Sequence, residues 1–263
     1  MSQDAVNILE NLIRKKSITP NDDGCQEYIY KELKDLGFNL RDLSENDVVN
    51  SLIFKSSDSG PKLLFAGHTD VVPPGDESLW SNDPFTPIIE NNIMTGRGCS
   101  DMKGSIACMV AAIKKFVNNY PDFNGAIGIL LTSDEEGPAK YGTKVAVEKM
   151  KSENLSPDYT IVGEPTSSSE LGDTIKNGRR GSITCRLKIK GIQGHIAYPE
   201  LAKNSNHIAF NIMQDLLNYK WDQGNEHFPK TSFQVSSVIS DNVAENMIPA
   251  WTKVIFNLRF SNE

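Results

Sequence analysis

The chain has no apolar run of the roughly 20 residues that a membrane-spanning helix needs. Its N-terminus, "MSQDAVNILENLIRKKSITP", lacks the unbroken apolar stretch of a secretory leader, and Val6, Ile8, Leu9, Leu12 and Ile13 fall at helical spacing instead. Cysteine is sparse. Cys25, Cys99, Cys108 and Cys185 are scattered, with no C-x-x-C pair of the kind that signals cysteine-bound zinc or redox chemistry, so they read as reduced thiols of a cytoplasmic protein. Cys99 reads as a small packing residue. Positive charge is in deficit: the net charge is −7 and the 27 lysines and arginines form no basic block, which argues against a nucleic-acid face or an anionic membrane surface. No G-x-S-x-G elbow and no G-x-x-x-x-G-K-[ST] loop occurs, so a serine nucleophile and a phosphate loop are set aside. No internal repeat or low-complexity tract is visible.

What is present is alternation. Helical patterns cover residues 3–16 and 23–36, the second closing on Gly37, a usual C-cap residue. "KLLFAGH" (62–68), "GAIGILLTSD" (125–134) and "DYTIVGE" (158–164) are apolar strands that close on a histidine or acids. Between them lie helices predicted over 103–117 and 139–151. Continuous apolar strands alternating with helices imply an α/β domain with a mostly parallel sheet covered on both faces. The pattern changes near residue 178. "GSITCRLKIKG" alternates strictly, a helix is predicted over about 205–219, and strands over 232–239 and 251–260, giving an α+β second domain. The domain division is therefore 1–178 and 179–263.

In open α/β sheets, ligands gather outside the carboxyl ends of the strands. That rule brings His68, Asp70, the run Asp134–Glu136 and Glu164 to one rim, together with Asp101 from the loop "GRGCSDMKG". Taken singly, each acid reads as a surface residue. Taken together with one imidazole, they form a ligand set for zinc or a similar divalent ion, whose charge offsets the repulsion among packed carboxylates.

"LLFAGHTDVVPPGDESLWSNDPFTP", "GRGCSDMKGS", "TSDEEGPAKYGTK", "IVGEPT" and "GRRGSITCRLKIKGIQGHIAYPELAKN" resemble the co-catalytic zinc aminoacylase and carboxypeptidase family over essentially the whole chain. The resemblance implies a zinc-exopeptidase-like catalytic domain with an inserted dimerisation or lid domain, and a cytoplasmic homodimer. It implies two Zn2+ per subunit, with Co2+ as a possible substitute. By motif, His68, Asp101 and Glu164 hold one metal, with Asp101 shared and Glu136 on the second. Asp70 orients the His68 ring, Glu135 is the general base, and His195 stabilises the anionic intermediate from the partner subunit. Read from the residues alone, His195 is a solvated loop histidine.

"NGRRGS" with "GHIAYP" points to the desuccinylating branch. It implies hydrolysis of N-succinyl-LL-2,6-diaminopimelate to succinate and LL-2,6-diaminopimelate, a step in lysine and diaminopimelate biosynthesis. Arg179, Asn246 and Arg259 are then the contacts of the succinyl carboxylate, although Arg259 also reads as a wet-face strand residue. An acetylornithine deacetylase or dipeptidase of the same family, and a non-catalytic paralogue that pairs with a full-length subunit, are the alternatives. Members of the family usually continue for about another third, with a glycine-rich substrate loop and a further histidine ligand. The 263 residues are thus expected to be an N-terminal fragment, poorly folded and nearly inactive alone, with a sheet edge uncovered. His207 and His227 are expected to be helix or surface residues.

Overall fold

The structure is a computed structural model and describes residues 2–57, 59–176, 178–241 and 244–261. The chain divides into two compact units, Met1–Asp173 and Thr174–Glu263.

The first unit opens with helices α1 (Gln3–Ile13) and α2 (Cys25–Leu33), followed by strands β1 (Asn39–Asp42), β2 (Asn50–Ser56) and β3 (Lys62–His68). A small hairpin, β4 (Ile88–Glu90) and β5 (Ile93–Thr95), precedes α3 (Gly104–Asn119). Strand β6 (Ala126–Thr132), helix α4 (Thr143–Ser152) and strand β7 (Tyr159–Val162) complete it. The sheet order is β1-β2-β6-β3-β7. The three strands expected from their apolar runs form its parallel part, β3 pairing with both β6 and β7. The strands β1 and β2, which the sequence pattern does not mark, add two antiparallel pairings, so the sheet is evenly mixed.

Both faces are covered, as near-continuous apolar strands require. On one side, Ile8, Leu12, Ile29, Ile106, Val110 and Ile113 of α1, α2 and α3 pack on Ile53, Ile127 and Ile129 of the sheet. On the other, Ala146 and Met150 of α4 cover Leu52, Leu64 and Leu130. Strand β7 lies at a sheet edge, with Tyr159, Ile161 and Val162 half exposed or more.

Three predicted helices are shorter than expected, the second being α-helical over Cys25–Leu33 before a 3-10 turn at Lys34–Leu36. The first stops at Ile13 rather than residue 16. The fourth begins at Thr143 rather than residue 139, because the Asp134 carboxylate captures the backbone N–H groups of Ala139, Lys140 and Tyr141 and holds them in a turn.

The second unit contains β8 (Gly181–Lys190), β9 (Gly194–His195), α5 (Ser205–Asn218), β10 (Ser232–Ser240), β11 (Met247–Ile248) and β12 (Trp251–Phe260). An antiparallel sheet in the order β10-β12-β8 carries α5 on one face, around Ile189, Ala209, Met213, Phe233, Val254 and Phe256. The strict alternation of β8 has its expected result: Leu187 and Ile189 lean on that core while Arg186, Lys188 and Lys190 are exposed.

Candidate active site

Parallel pairing sets His68 opposite Thr132 and Ala66 opposite Val162, so the ends of β3, β6 and β7 lie at one rim. The residues before His68 and Glu164 are glycines that pack against methionine side chains. A Cβ on Gly67 would meet the tip of the Met102 side chain, and one on Gly163 the tips of Met109 and Met102, ends of flexible side chains that could shift aside. Residues 101–109 approach the strand ends there, and Asp101 arrives beside His68.

The His68 ring is buried, 1% exposed, and its environment fixes its tautomer. Nδ1 lies 2.8 Å from the Asp70 carbonyl oxygen, which only accepts, so Nδ1 carries a hydrogen. In the neutral ring, Nε2 then offers a lone pair, the form that binds metal. Around Nε2 stand Asp101 Oδ1 at 3.1 Å, Glu164 Oε1 at 3.7 Å and Glu135 Oε2 at 3.9 Å. Two groups that could hold a metal ion share this imidazole, His68–Glu135–Glu164 and His68–Asp101–Glu136, the donor atoms of each lying within 4.8 Å of one another.

Asp70 acts on both sides of the cluster. Expected to orient the ring, it makes the short contact through its backbone carbonyl, while its carboxylate sits 3.5 Å from Nδ1. That fully buried carboxylate also accepts the backbone N–H groups of Glu135 at 3.2 Å and Glu136 at 3.1 Å, tying the acidic run to the end of β3. Asp134 folds the rest of the loop around itself through the three N–H groups it captures. Gly137 is needed there, since a Cβ would meet Thr19 Oγ1 at 2.7 Å.

The electrostatics are those of a site built for a cation. Burial, with Asp101 and Glu135 close by, raises the pKa of Glu136 against the pull of His68. Burial disfavours the His68 imidazolium, but the contacts to Asp70 and the charge of Glu135 outweigh it and push the ring up to about 9. For Asp70, the hydrogen bonds from His68 and its neighbours overcome burial and hold the carboxyl below its usual range. Packed carboxylates around a tautomer-fixed imidazole fit a divalent ion by donor type, number and charge.

Two buried polar residues behind the site carry no expectation from the sequence. Lys103 is fully buried, and its Nζ donates to the carbonyls of Leu12 at 2.8 Å and Lys15 at 2.9 Å, fastening the Asp101 segment to the end of α1. Thr69, between His68 and Asp70, donates its hydroxyl to buried Asp22 at 2.7 Å. A signal for Lys103 was available: it falls three residues before Ile106 on the apolar stripe Ile106, Val110, Ile113 and Val117, where an unpaired lysine would be costly. Asp22 carries no such mark.

In the second unit, His195 lies on β9, which pairs with β11, so that Asn246 Nδ2 comes within 3.5 Å of His195 Nε2. Arg179 and Arg259 are exposed, Arg259 donating through Nε to Asn257 at 3.1 Å. His207 lies on α5, and exposed His227 pairs with Glu226.

A helix-covered mixed sheet with an imidazole and carboxylates converging at the ends of its parallel strands defines an α/β metallohydrolase. Residues 64–255 match Peptidase family M20/M25/M40, and the chain belongs to that family. It is 50% identical over 261 residues to the succinyl-diaminopimelate desuccinylase of Hydrogenovibrio crunogenus, covering 99% of this chain and 69% of that protein. With the enzyme of the same name from Methylobacillus flagellatus it shares 48% over 254 residues, 97% of this chain and 68% of the relative. Among solved structures, an M20 metallo-carboxypeptidase of Sulfolobus solfataricus superposes with a TM-score of 0.74 at 16% identity, over 100% of this chain and 72% of that one. A dinuclear metal-binding M20 peptidase of Bacillus subtilis does so at 0.64 and 13%, over 98% and 64%. At such identities the likeness is one of fold.

Proposed function

We propose that this protein hydrolyses N-succinyl-LL-2,6-diaminopimelate to succinate and LL-2,6-diaminopimelate, with zinc as its metal and cobalt as a substitute. The high identity to named desuccinylases over nearly the whole chain supports the substrate. The observation that carries the chemistry is the shared His68 imidazole, its Nδ1 hydrogen-bonded to Asp70 and its Nε2 facing Asp101, Glu135 and Glu164.

In this reading His68, Asp101 and Glu164 would hold one ion, and Asp101 and Glu136 would contribute to holding a second. A cation held there would supply Lewis acidity, making water acidic enough to give up a proton near neutral pH. The chain's own groups do the rest. Asp70 keeps the His68 hydrogen on Nδ1 and fixes the backbone of Glu135 and Glu136. Glu135, partly open to solvent and held at its backbone by Asp70, takes the proton of the attacking water. It returns that proton to the amide nitrogen as the carbon–nitrogen bond breaks. By family resemblance, His195 donates to the carbonyl oxygen as negative charge builds there, and Arg179, Asn246 and Arg259 bind the succinyl carboxylate. A homodimer in the cytoplasm is part of the same reading.

The test is made on the protein carried to the length of its relatives, of which this chain spans 69%; it compares release of succinate from N-succinyl-LL-2,6-diaminopimelate with release of acetate from N-acetylornithine and with cleavage of dipeptides, zinc being supplied. Desuccinylation should be fastest, and Glu135→Gln should abolish it while retaining bound metal. Faster deacetylation or dipeptide cleavage would overturn the substrate assignment. Full activity in Glu135→Gln would overturn the mechanism.

A further inference from the structure

A cavity of about 330 Å³ adjoins the acidic cluster within the first unit, with Asp101 and Glu136 lining it together with Trp80 and Arg97. Among the described residues, Arg97 is the one cation in that lining. Its guanidinium carbon stands 5.0 Å from the centre of the Trp80 ring, and Trp80 is in turn held by a hydrogen bond from Nε1 to the Pro74 carbonyl at 3.0 Å. The guanidinium is thus oriented. Its hydrogen bond from Nη2 to the Pro74 carbonyl is long, 3.4 Å, and Nε is buried without a partner. Arg97 is in no ion pair among the described residues, although two carboxylates line the same cavity. A planar fork of donors stacked on an aromatic face, holding one long bond to a carbonyl and no carboxylate partner among the described residues, suits a carboxylate that approaches from the cavity.

We propose that Arg97 binds a free carboxylate of the amide substrate and thereby selects acidic N-acyl amino acids for this cleft. The inference rests on the hydrolase reading above. It adds a residue of the catalytic unit itself to the recognition of a substrate that bears three carboxylates.

The test uses Arg97→Met, which keeps the stem over Trp80, and Arg97→Lys, which keeps the charge without the fork. N-succinyl-diaminopimelate and three analogues, each with one carboxylate replaced by a carboxamide, are assayed with both variants and the unaltered protein. One charge-assisted contact sets the expected size: Arg97→Met should raise KM roughly 10- to 100-fold on the parent substrate, with Arg97→Lys intermediate. One carboxamide analogue should escape this penalty, because the interaction is already missing. An equal loss on the parent and all three analogues would mean that Arg97 merely braces the loop of Pro74 and Trp80, and would overturn the proposal; so would an unchanged KM. Calorimetric titration of the metal-loaded proteins with succinate and with diaminopimelate separates this outcome from failure of the substrate assignment. Arg97→Met should lose at least tenfold in affinity for one of the two products. Unchanged affinity for both overturns the role of Arg97 even if no turnover is seen.

Discussion

Asp134 offers a direct test of how the acidic run is built. Its side chain is buried and accepts N–H groups from Ala139 at 3.1 Å, Lys140 at 2.8 Å and Tyr141 at 3.0 Å. A hydrogen bond to a charged group contributes about 1.5–3 kcal/mol. Three such bonds would suggest a large loss in Asp134→Ala, but Ala139 and Lys140 are exposed, so water re-solvates part of what is freed. The expected net cost is about 2–4 kcal/mol, and Asp134→Asn, which keeps one acceptor oxygen, should lose roughly half of that. Urea denaturation followed by circular dichroism measures this as a fall in midpoint at unchanged slope. Because Glu135 and Glu136 follow directly, zinc affinity read by competition with a chelating dye should fall at least about tenfold in Asp134→Ala. Stability within about 0.5 kcal/mol of the unaltered protein, or undiminished zinc affinity, would refute the view that Asp134 is the scaffold of the acidic loop.

Three further outcomes are expected. With its pKa near 9, metal-free His68 carries a proton at pH 7 that a cation must displace, so zinc binding should release about one proton from this ring and weaken as pH falls below 9. Calorimetry in two buffers of different ionisation enthalpy gives the proton count, and zero release would contradict the assignment of His68 as a ligand. Lys103→Met leaves the buried carbonyls of Leu12 and Lys15 without their donor and should cost about 2–4 kcal/mol in thermal or urea unfolding, with an accompanying loss of zinc affinity. Lys114 joins Asp4 at 2.9 Å and Glu32 at 2.8 Å, linking α1, α2 and α3 at a partly exposed site. Lys114→Met should cost only about 0.5–1 kcal/mol, and the difference should shrink in about 1 M salt.

The three apolar strands, their order of ending and the rim to which they bring His68, Asp134–Glu136 and Glu164 were legible in the sequence. In a chain that alternates with helices, a short continuous hydrophobic run closing on a polar residue is what a buried parallel strand requires. Asp101 was legible through its position before a helix of clear periodicity. The antiparallel strands β1 and β2 were not, because "NLRD" is exposed throughout and "NSLIFKS" begins with buried Asn50 and Ser51, so neither shows clean alternation. Buried Asn50 is held by long-range bonds, its Nδ2 donating to the Tyr141 carbonyl at 2.8 Å, which no local pattern announces.

The sequence by itself determined which residue types were available and, through period and strand ends, roughly where they would lie. Only the tertiary structure decided their roles. The His68 tautomer depends on a carbonyl two residues away that the turn folds back onto the ring. The separate duties of Asp134 and Asp70 depend on which backbone N–H groups each carboxylate meets across the loop. The placement of the Arg97 guanidinium depends on Trp80, well separated from it along the chain, stacking beneath it. Hydrogen bonds and charge pairs act over a few ångströms, and those distances are set by the packed chain rather than by separation along it.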